Sequence, residues 1–66
     1  MKDFLVKMSD GSTYFIRGEK MDDILSQIGQ ARMFCKGFLG VRIPTTYKYV
    51  TINVDQIVAI EEDDEL

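Results

Sequence analysis

The sequence lacks histidine and tryptophan, and its 66 residues include one cysteine and one proline. The absence of histidine removes the commonest general base and the commonest transition-metal ligand. A single cysteine excludes an internal disulfide and a cysteine-based zinc site. No apolar run approaches the roughly 18 residues that span a bilayer, and the charged, alternating residues 1–16 do not resemble a secretion signal. We therefore expect a cytoplasmic protein without cofactor, metal or membrane association.

The composition that remains is ordinary for a small globular domain, with 45% hydrophobic and 29% charged residues. The net charge of −3 is unevenly spread, because five of the 11 acidic residues lie within the last six positions and residues 1–60 carry a net +2. A run of like charges repels itself and is typical of a solvated end. We predict one small α+β domain over residues 1–60 and an acidic, frayed tail over residues 61–66.

A hairpin is predicted at the start of the chain, because Asp10-Gly11 between apolar runs is a strong signal for a tight turn with positive φ. The predicted strands are Asp3–Met8 and Thr13–Arg17. Taking Asp10 and Gly11 as a two-residue loop pairs Val6 with Phe15 and Leu5 with Ile16. Both faces of this hairpin then carry apolar pairs, so both faces need cover.

One apolar stripe at spacings of three and four predicts a helix from Lys20 to Phe34. The stripe consists of Met21, Ile24, Leu25, Ile28, Ala31 and Cys35. Asp22 and Asp23 then lie in the first turn, where the helix dipole favours negative charge. Because Cys35 continues the stripe, we expect a buried structural cysteine.

Three further strands are predicted after the helix, over Phe38–Ile43, Tyr47–Val54 and Gln56–Glu61. Matching their apolar positions pairs Val41 with Val50 and Leu39 with Ile52, with Pro44–Tyr47 as the loop. The link around Asp55 has room for one tight helical turn. Strand, single turn, strand over Tyr49–Glu62 resembles the ending of SH3-like and Sm-like small barrels, although an Sm-like chain begins with its helix. We predict an α+β fold in the order β-β-α-β-β-β, with a curved, barrel-like antiparallel sheet and one amphipathic helix.

The candidate catalytic residues have structural explanations. Neighbouring carboxylates such as Asp22 and Asp23 point about 100° apart on a helix and do not converge on one substrate. Cys35 has no histidine partner, and a helix C-terminus disfavours its thiolate. The segment Gly37–Gly40 lacks the lysine and the spacing of a phosphate-binding loop. We therefore predict no enzymatic activity and no small-molecule substrate.

The string Lys36–Ile43 resembles the RNA-recognition-motif signature, in which a basic residue and glycine precede aromatics that stack on bases. Phe38 matches the first aromatic position, whereas glycine and isoleucine occupy the later ones, and the chain is too short for that fold. One alternative is therefore a small barrel that binds single-stranded nucleic acid through Phe38, Arg42 and Tyr49. The net charge of +2 over residues 1–60 offers few cations for phosphate contacts.

Protein–protein interaction is the leading prediction, because Tyr, Phe and Arg are enriched in interface hot spots. We predict a non-catalytic binding module that regulates or inhibits a larger protein, by analogy with small accessory proteins such as those of phages. The apolar surplus of the hairpin also exceeds what one helix covers, which favours barrel closure or a homodimer and leaves a structural homo-oligomer subunit as a second alternative. The predicted partner-binding residues are Phe38, Arg42, Tyr47, Tyr49, Glu61, Glu62, Asp63 and Asp64.

Overall fold

Five strands, one helix and one 3₁₀ turn follow one another in residues 1–62, the part of the chain that the computed structural model describes. Their bounds are β1 Lys2–Met8, β2 Thr13–Gly18, α1 Met21–Phe34, β3 Phe38–Arg42, β4 Tyr49–Asn53, the 3₁₀ turn Val54–Gln56 and β5 Ile57–Glu62. The predicted α+β class and the order β-β-α-β-β-β are confirmed. β5 extends through Glu62, two residues past the predicted domain boundary.

The strands form one antiparallel sheet in the order β4-β3-β2-β1-β5. A flat sheet of this size would separate its edge strands by about 19 Å. The 3₁₀ turn joins these same two strands, and the chain from Asn53 to Ile57 spans at most about 14 Å when fully extended. The sheet therefore curls strongly, as predicted. It does not close, because β4 and β5 remain its edges in the described residues, so the barrel description holds only loosely.

The concave side of the sheet holds the core, which we call the inner face. Alternate residues of β1 point into it, and Phe4 and Val6 are completely buried. α1 packs against this face through Ile24, which is also completely buried. The remaining buried members of the cluster are Met8, Ile16, Val41 and Ile52. Because α1 covers the inner face, the opposite side of the sheet has no helix above it.

The register of the first hairpin differs from the predicted one by one residue. Leu5 lies opposite Phe15, and Val6 lies opposite Tyr14. The loop has three residues instead of two: the Gly11 N–H donates to the Met8 carbonyl at 3.0 Å, and Gly11 adopts a φ of 92°. A type I turn followed by a left-handed glycine gives this three-residue loop. The predicted pairs of Val6 with Phe15 and of Leu5 with Ile16 are therefore wrong.

The second hairpin has the predicted register, since Val41 lies opposite Val50 and Leu39 opposite Ile52. Its strands are shorter than predicted, and β4 begins at Tyr49 instead of Tyr47. The loop is closed by hydrogen bonds from the Ile43 N–H to the Lys48 carbonyl at 2.9 Å and from the Tyr47 N–H to the Ile43 carbonyl at 2.8 Å.

α1 begins at Met21, one residue after the predicted start, with Lys20 as its N-cap, and it ends at Phe34 as predicted. One carboxylate oxygen of Asp23 accepts hydrogen bonds from the backbone N–H groups of Glu19 and Lys20, each at 3.2 Å. This contact confirms the helix-start role of Asp23, because it satisfies donors that a helix N-terminus leaves unpaired. Cys35 is exposed, so the prediction of a buried cysteine is wrong. It is the C-cap, and its φ of −125° takes it off the helical spiral that carries the apolar stripe.

Candidate functional site

The convex side of the sheet, called the outer face here, carries one continuous row of side chains. Residues directly opposite each other on neighbouring strands share a face. From β5 to β4 the row runs through Glu61, Leu5, Phe15, Arg42 and Tyr49. Leu5 and Phe15 are half-buried at its centre, and Glu61 and Tyr49 are exposed at its ends. An apolar centre between polar and aromatic ends is the usual anatomy of a protein-binding patch.

Arg42 is the organising residue of the β4 end. Its guanidinium carbon lies 4.2 Å from the centre of the Tyr49 ring, in cation–π geometry. Its Nη1 donates a hydrogen bond to the Tyr47 carbonyl at 2.9 Å. Tyr47 has a φ of 59°, a left-handed conformation that is unusual for a side chain of this size. The arginine thus fixes both the aromatic ring on the face and the loop beside it.

The two tyrosines are well placed for contact with a partner. The residues Tyr47 and Tyr49 are 63% and 69% exposed. Gly40 lies beside Tyr49, and a methyl group built there would be 3.9 Å from the ring, so the Tyr49 ring lies close along β3. A tyrosine held in one orientation loses little rotamer entropy on binding, which is why preorganised aromatic anchors contribute strongly to affinity.

Ion pairs form the polar border of the outer face. Lys7 Nζ lies 2.9 Å from Glu61 Oε2, and Arg17 Nε lies 3.0 Å from Asp3 Oδ1. All four side chains are at least one-third exposed, so each pair contributes no more than about 1 kcal/mol to folding. On a surface that binds another protein, rim charges of this kind select the orientation of the partner.

The structure separates the predicted site residues into groups. Arg42, Tyr47 and Tyr49 come together, and Glu61 lies on the same face at the opposite edge. Phe38 lies on the outer face four residues before Arg42, roughly 13 Å away along β3. Glu62 lies opposite Phe4, so it belongs to the inner face, and it forms an ion pair with Lys2 at 2.7 Å. The other predicted residues, Asp63 and Asp64, lie outside the described residues.

Half of the basic residues are engaged with carboxylates of the described part of the chain. Within residues 1–62, four of the eight basic side chains form ion pairs with acidic ones. A phosphate backbone would have to compete with these partners, and phosphate contacts supply most of the affinity of non-specific nucleic-acid binding. The charge arrangement is therefore less favourable for binding a nucleic acid than the net charge of +2 over residues 1–60 indicates.

A cleft of ≈ 180 Å³ lies where the first hairpin loop meets the 3₁₀ turn. Its polar groups serve the fold: the Ser9 hydroxyl donates to Gln56 Oε1 at 2.6 Å, and Asn53 Oδ1 accepts from the Asp55 N–H at 2.9 Å. Within residues 1–62, no three acidic or cysteine side chains lie close enough together to hold a metal ion. No helix in that same part of the chain has the length and apolarity to cross a membrane.

Sequence reasoning missed the centre of the outer face. With the wrong hairpin register, Leu5 and Phe15 fell into different cross-strand pairs, whereas the structure places them opposite each other. It also missed Met33 and Phe34, which are 77% and 76% exposed. The sequence did contain a signal for their exposure, because both residues lie off the apolar stripe of α1.

Comparisons of this chain with protein-family models, curated proteins and solved structures gave no match. The function must therefore be argued from the geometry of the chain itself.

Proposed function

We propose that this chain is a non-catalytic binding module whose outer face docks on another protein, which it regulates or inhibits by occupying its surface. The observation that carries the proposal is the row from Leu5 to Tyr49, an apolar centre that leads into an arginine-fixed tyrosine pair. Hot spots of protein interfaces combine these features, since aromatic and arginine side chains bury large areas with few rotatable bonds.

Self-association is a second part of the proposal. Met33 and Phe34 are neighbours at the end of α1, and both are more than three-quarters exposed. Contiguous apolar surface on a small chain favours association. A lone exposed thiol at Cys35 also suits the reducing cytoplasm, where thiols persist unpaired.

The test of the docking face is affinity capture with the double variant Arg42→Ala/Tyr49→Ala. The matched control is Lys20→Ala/Leu25→Ala, which also removes one cation and one large exposed apolar side chain but leaves the outer face intact. Circular dichroism must show both variants folded. We expect the control to retain the partner captured by the native chain and the outer-face variant to lose at least nine-tenths of it. Equal capture by both variants would remove the outer face from the proposal.

Nucleic-acid binding is distinguished by a separate measurement. Fluorescence anisotropy of a labelled 20-nucleotide single strand is measured at low and moderate salt. Binding carried by phosphate contacts weakens steeply as salt rises. We expect weak binding that the Arg42→Ala/Tyr49→Ala variant does not change. Tight, salt-sensitive binding lost in that variant would replace the protein-docking proposal with the nucleic-acid alternative.

A further inference from the structure

A groove runs between the last turns of α1 and the beginning of β3. It has a volume of ≈ 290 Å³, and its surface is mainly apolar. Its wall and floor include Ala31, Phe34, Cys35, Phe38 and Leu39. A cavity of about 150 Å³ suffices for a benzene ring, so this groove has room for an aromatic side chain. It extends along β3 to Gly40, where an added Cβ would lie 3.9 Å from the Tyr49 ring, so it borders the tyrosine cluster of Arg42, Tyr47 and Tyr49.

A protruding aromatic side chain borders the groove. Phe34 forms one wall and is 76% exposed, and its neighbour Met33 is 77% exposed. Phe38, on the other wall, is 50% exposed. The same small patch therefore carries both a projecting ring and a recess that accepts one. An interface between two identical copies related by a two-fold axis requires this self-complementarity, because each copy presents the same surface to the other.

We propose that a second copy of this chain covers the groove, with Phe34 of each protomer seated in the groove of its partner. This inference rests on the proposed self-association and assigns it a surface. Around the two-fold axis, the last turns of the two α1 helices lie against each other. Arg42, Tyr47 and the apolar centre of the outer face at Leu5 and Phe15 do not line the groove, so they stay accessible to another protein.

The charge distribution favours a second copy at this place. Two chains with a net charge of −3 repel each other, so contact is easiest where no carboxylate lies. The groove is lined by apolar residues, glycine and two glutamines. The carboxylate of Asp55 reaches the last turn of α1, where it is neutralised by an ion pair with Arg32 at 3.3 Å. The acidic pair at the start of α1 is about 16–18 Å from Phe34 along the helix axis, beyond the screening length of about 8 Å at physiological salt.

The available area predicts a weak dimer. At about 200 Å² for a large apolar residue, the exposed fractions of Met33, Phe34 and Phe38 leave roughly 400 Å² per copy. Two copies then bury about 800 Å² of apolar surface, and only with the two glutamines that border the groove does the total approach the roughly 1,000 Å² of a weak specific interface. Interfaces of that size are weak or transient, so we expect a dissociation constant on the order of micromolar or higher.

The first test is sedimentation equilibrium from micromolar to millimolar concentration under reducing conditions. The variant Phe34→Ser removes the projecting ring from an exposed position, so the fold tolerates it. The control Val58→Ser removes an apolar side chain that is 66% exposed on β5. We expect the dissociation constant to rise at least tenfold with Phe34→Ser and to change less than twofold with Val58→Ser.

The second test uses Cys35 as a native reporter. It lines the groove and is the chain's one cysteine, so a short bis-maleimide can join two chains only through Cys35 of each copy. We expect cross-linked dimer above the dissociation constant and its loss with Phe34→Ser. A dimer that resists Phe34→Ser and gives no cross-link would overturn this surface while self-association stands. A strict monomer at millimolar concentration would overturn both. If a different protein binds the native chain and Phe34→Ser abolishes that binding, that protein occupies the groove and the second copy does not.

Discussion

Gly18, the last residue of β2, lies directly under the core residue Ile24 of α1. A methyl group built at Gly18 would lie 2.7 Å from Ile24 Cδ1 and 3.6 Å from Asp23 Cβ. The Ile24 side chain is completely buried, so its end cannot swing into solvent. We expect Gly18→Ala to lower the free energy of unfolding by about 1–3 kcal/mol, as other overpacked cores do. For a domain of this size, that is a fall in Tm of about 4–8 °C per kcal/mol.

Gly29→Ala is the matched control for this substitution. Gly29 lies inside α1, and a methyl group there meets no atom within 4 Å. Alanine is about 1 kcal/mol more favourable than glycine within a helix, so this variant should be more stable than the native chain. If Gly18→Ala lowers the free energy of unfolding and Gly29→Ala raises it, the loss at Gly18 comes from the close approach of α1 to β2 and not from replacing a glycine as such.

A double-mutant cycle then tests the atom that causes the effect. Ile24→Val deletes Cδ1 and alone lowers the free energy of unfolding by about 0.5–1.5 kcal/mol. Because this deletion also removes the clash, the double variant Gly18→Ala/Ile24→Val should be less destabilised than the two single changes combined, by about 1–2 kcal/mol. Thermal and urea unfolding followed by far-ultraviolet circular dichroism measures all four proteins. Additive effects, or a neutral Gly18→Ala, would show that α1 does not approach β2 this closely.

Three further predictions follow from the core and the loops. Phe4→Ala empties the centre of the core and should lower the free energy of unfolding by about 3–5 kcal/mol; a Tm within a few degrees of the native value would contradict it. Asn53→Ala removes the acceptor for the Asp55 N–H and should lower that free energy by about 1 kcal/mol, whereas Asn53→Ser should restore most of it in urea titrations. Hydrogen bonds from the Ser12 backbone N–H and, to a smaller extent, from its hydroxyl hold the pKa of Asp10 below its ordinary 3.8. The stability that this contact contributes is therefore present above pH 3.8 and is lost as the pH falls through the lowered pKa. The Tm difference between the native chain and Asp10→Asn should accordingly shrink below pH 3.8.

Local patterns in the sequence were sufficient to predict the elements of the fold. The spacing of Ile24, Ile28 and Ala31 placed α1, and the apolar match of Val41 with Val50 set the second hairpin. The first hairpin failed because Asp-Gly is compatible with loops of two and of three residues, and a change of one residue exchanges the faces of a strand. The pairing of β1 with β5 joins distant parts of the chain, and no local signal indicates it.

The candidate site was only partly predictable for the same reason. The second hairpin register places Arg42 beside Tyr49, so their contact follows from the sequence. The bond from Arg42 to the Tyr47 carbonyl depends on a left-handed backbone at a tyrosine, for which residue type gives no warning. The apolar centre at Leu5 and Phe15 required the correct first hairpin and the single pair that joins β2 to β3.

The position of β1 between β2 and β5 has a consequence during protein synthesis. β5 leaves the ribosome after every other element of the sheet, so one side of β1 has no strand to pair with while residues 1–56 emerge. At about 5–20 residues per second, translation of that stretch takes several seconds. The nascent chain therefore carries an open, apolar strand edge until β5 emerges, and such an edge is a template for pairing with other chains.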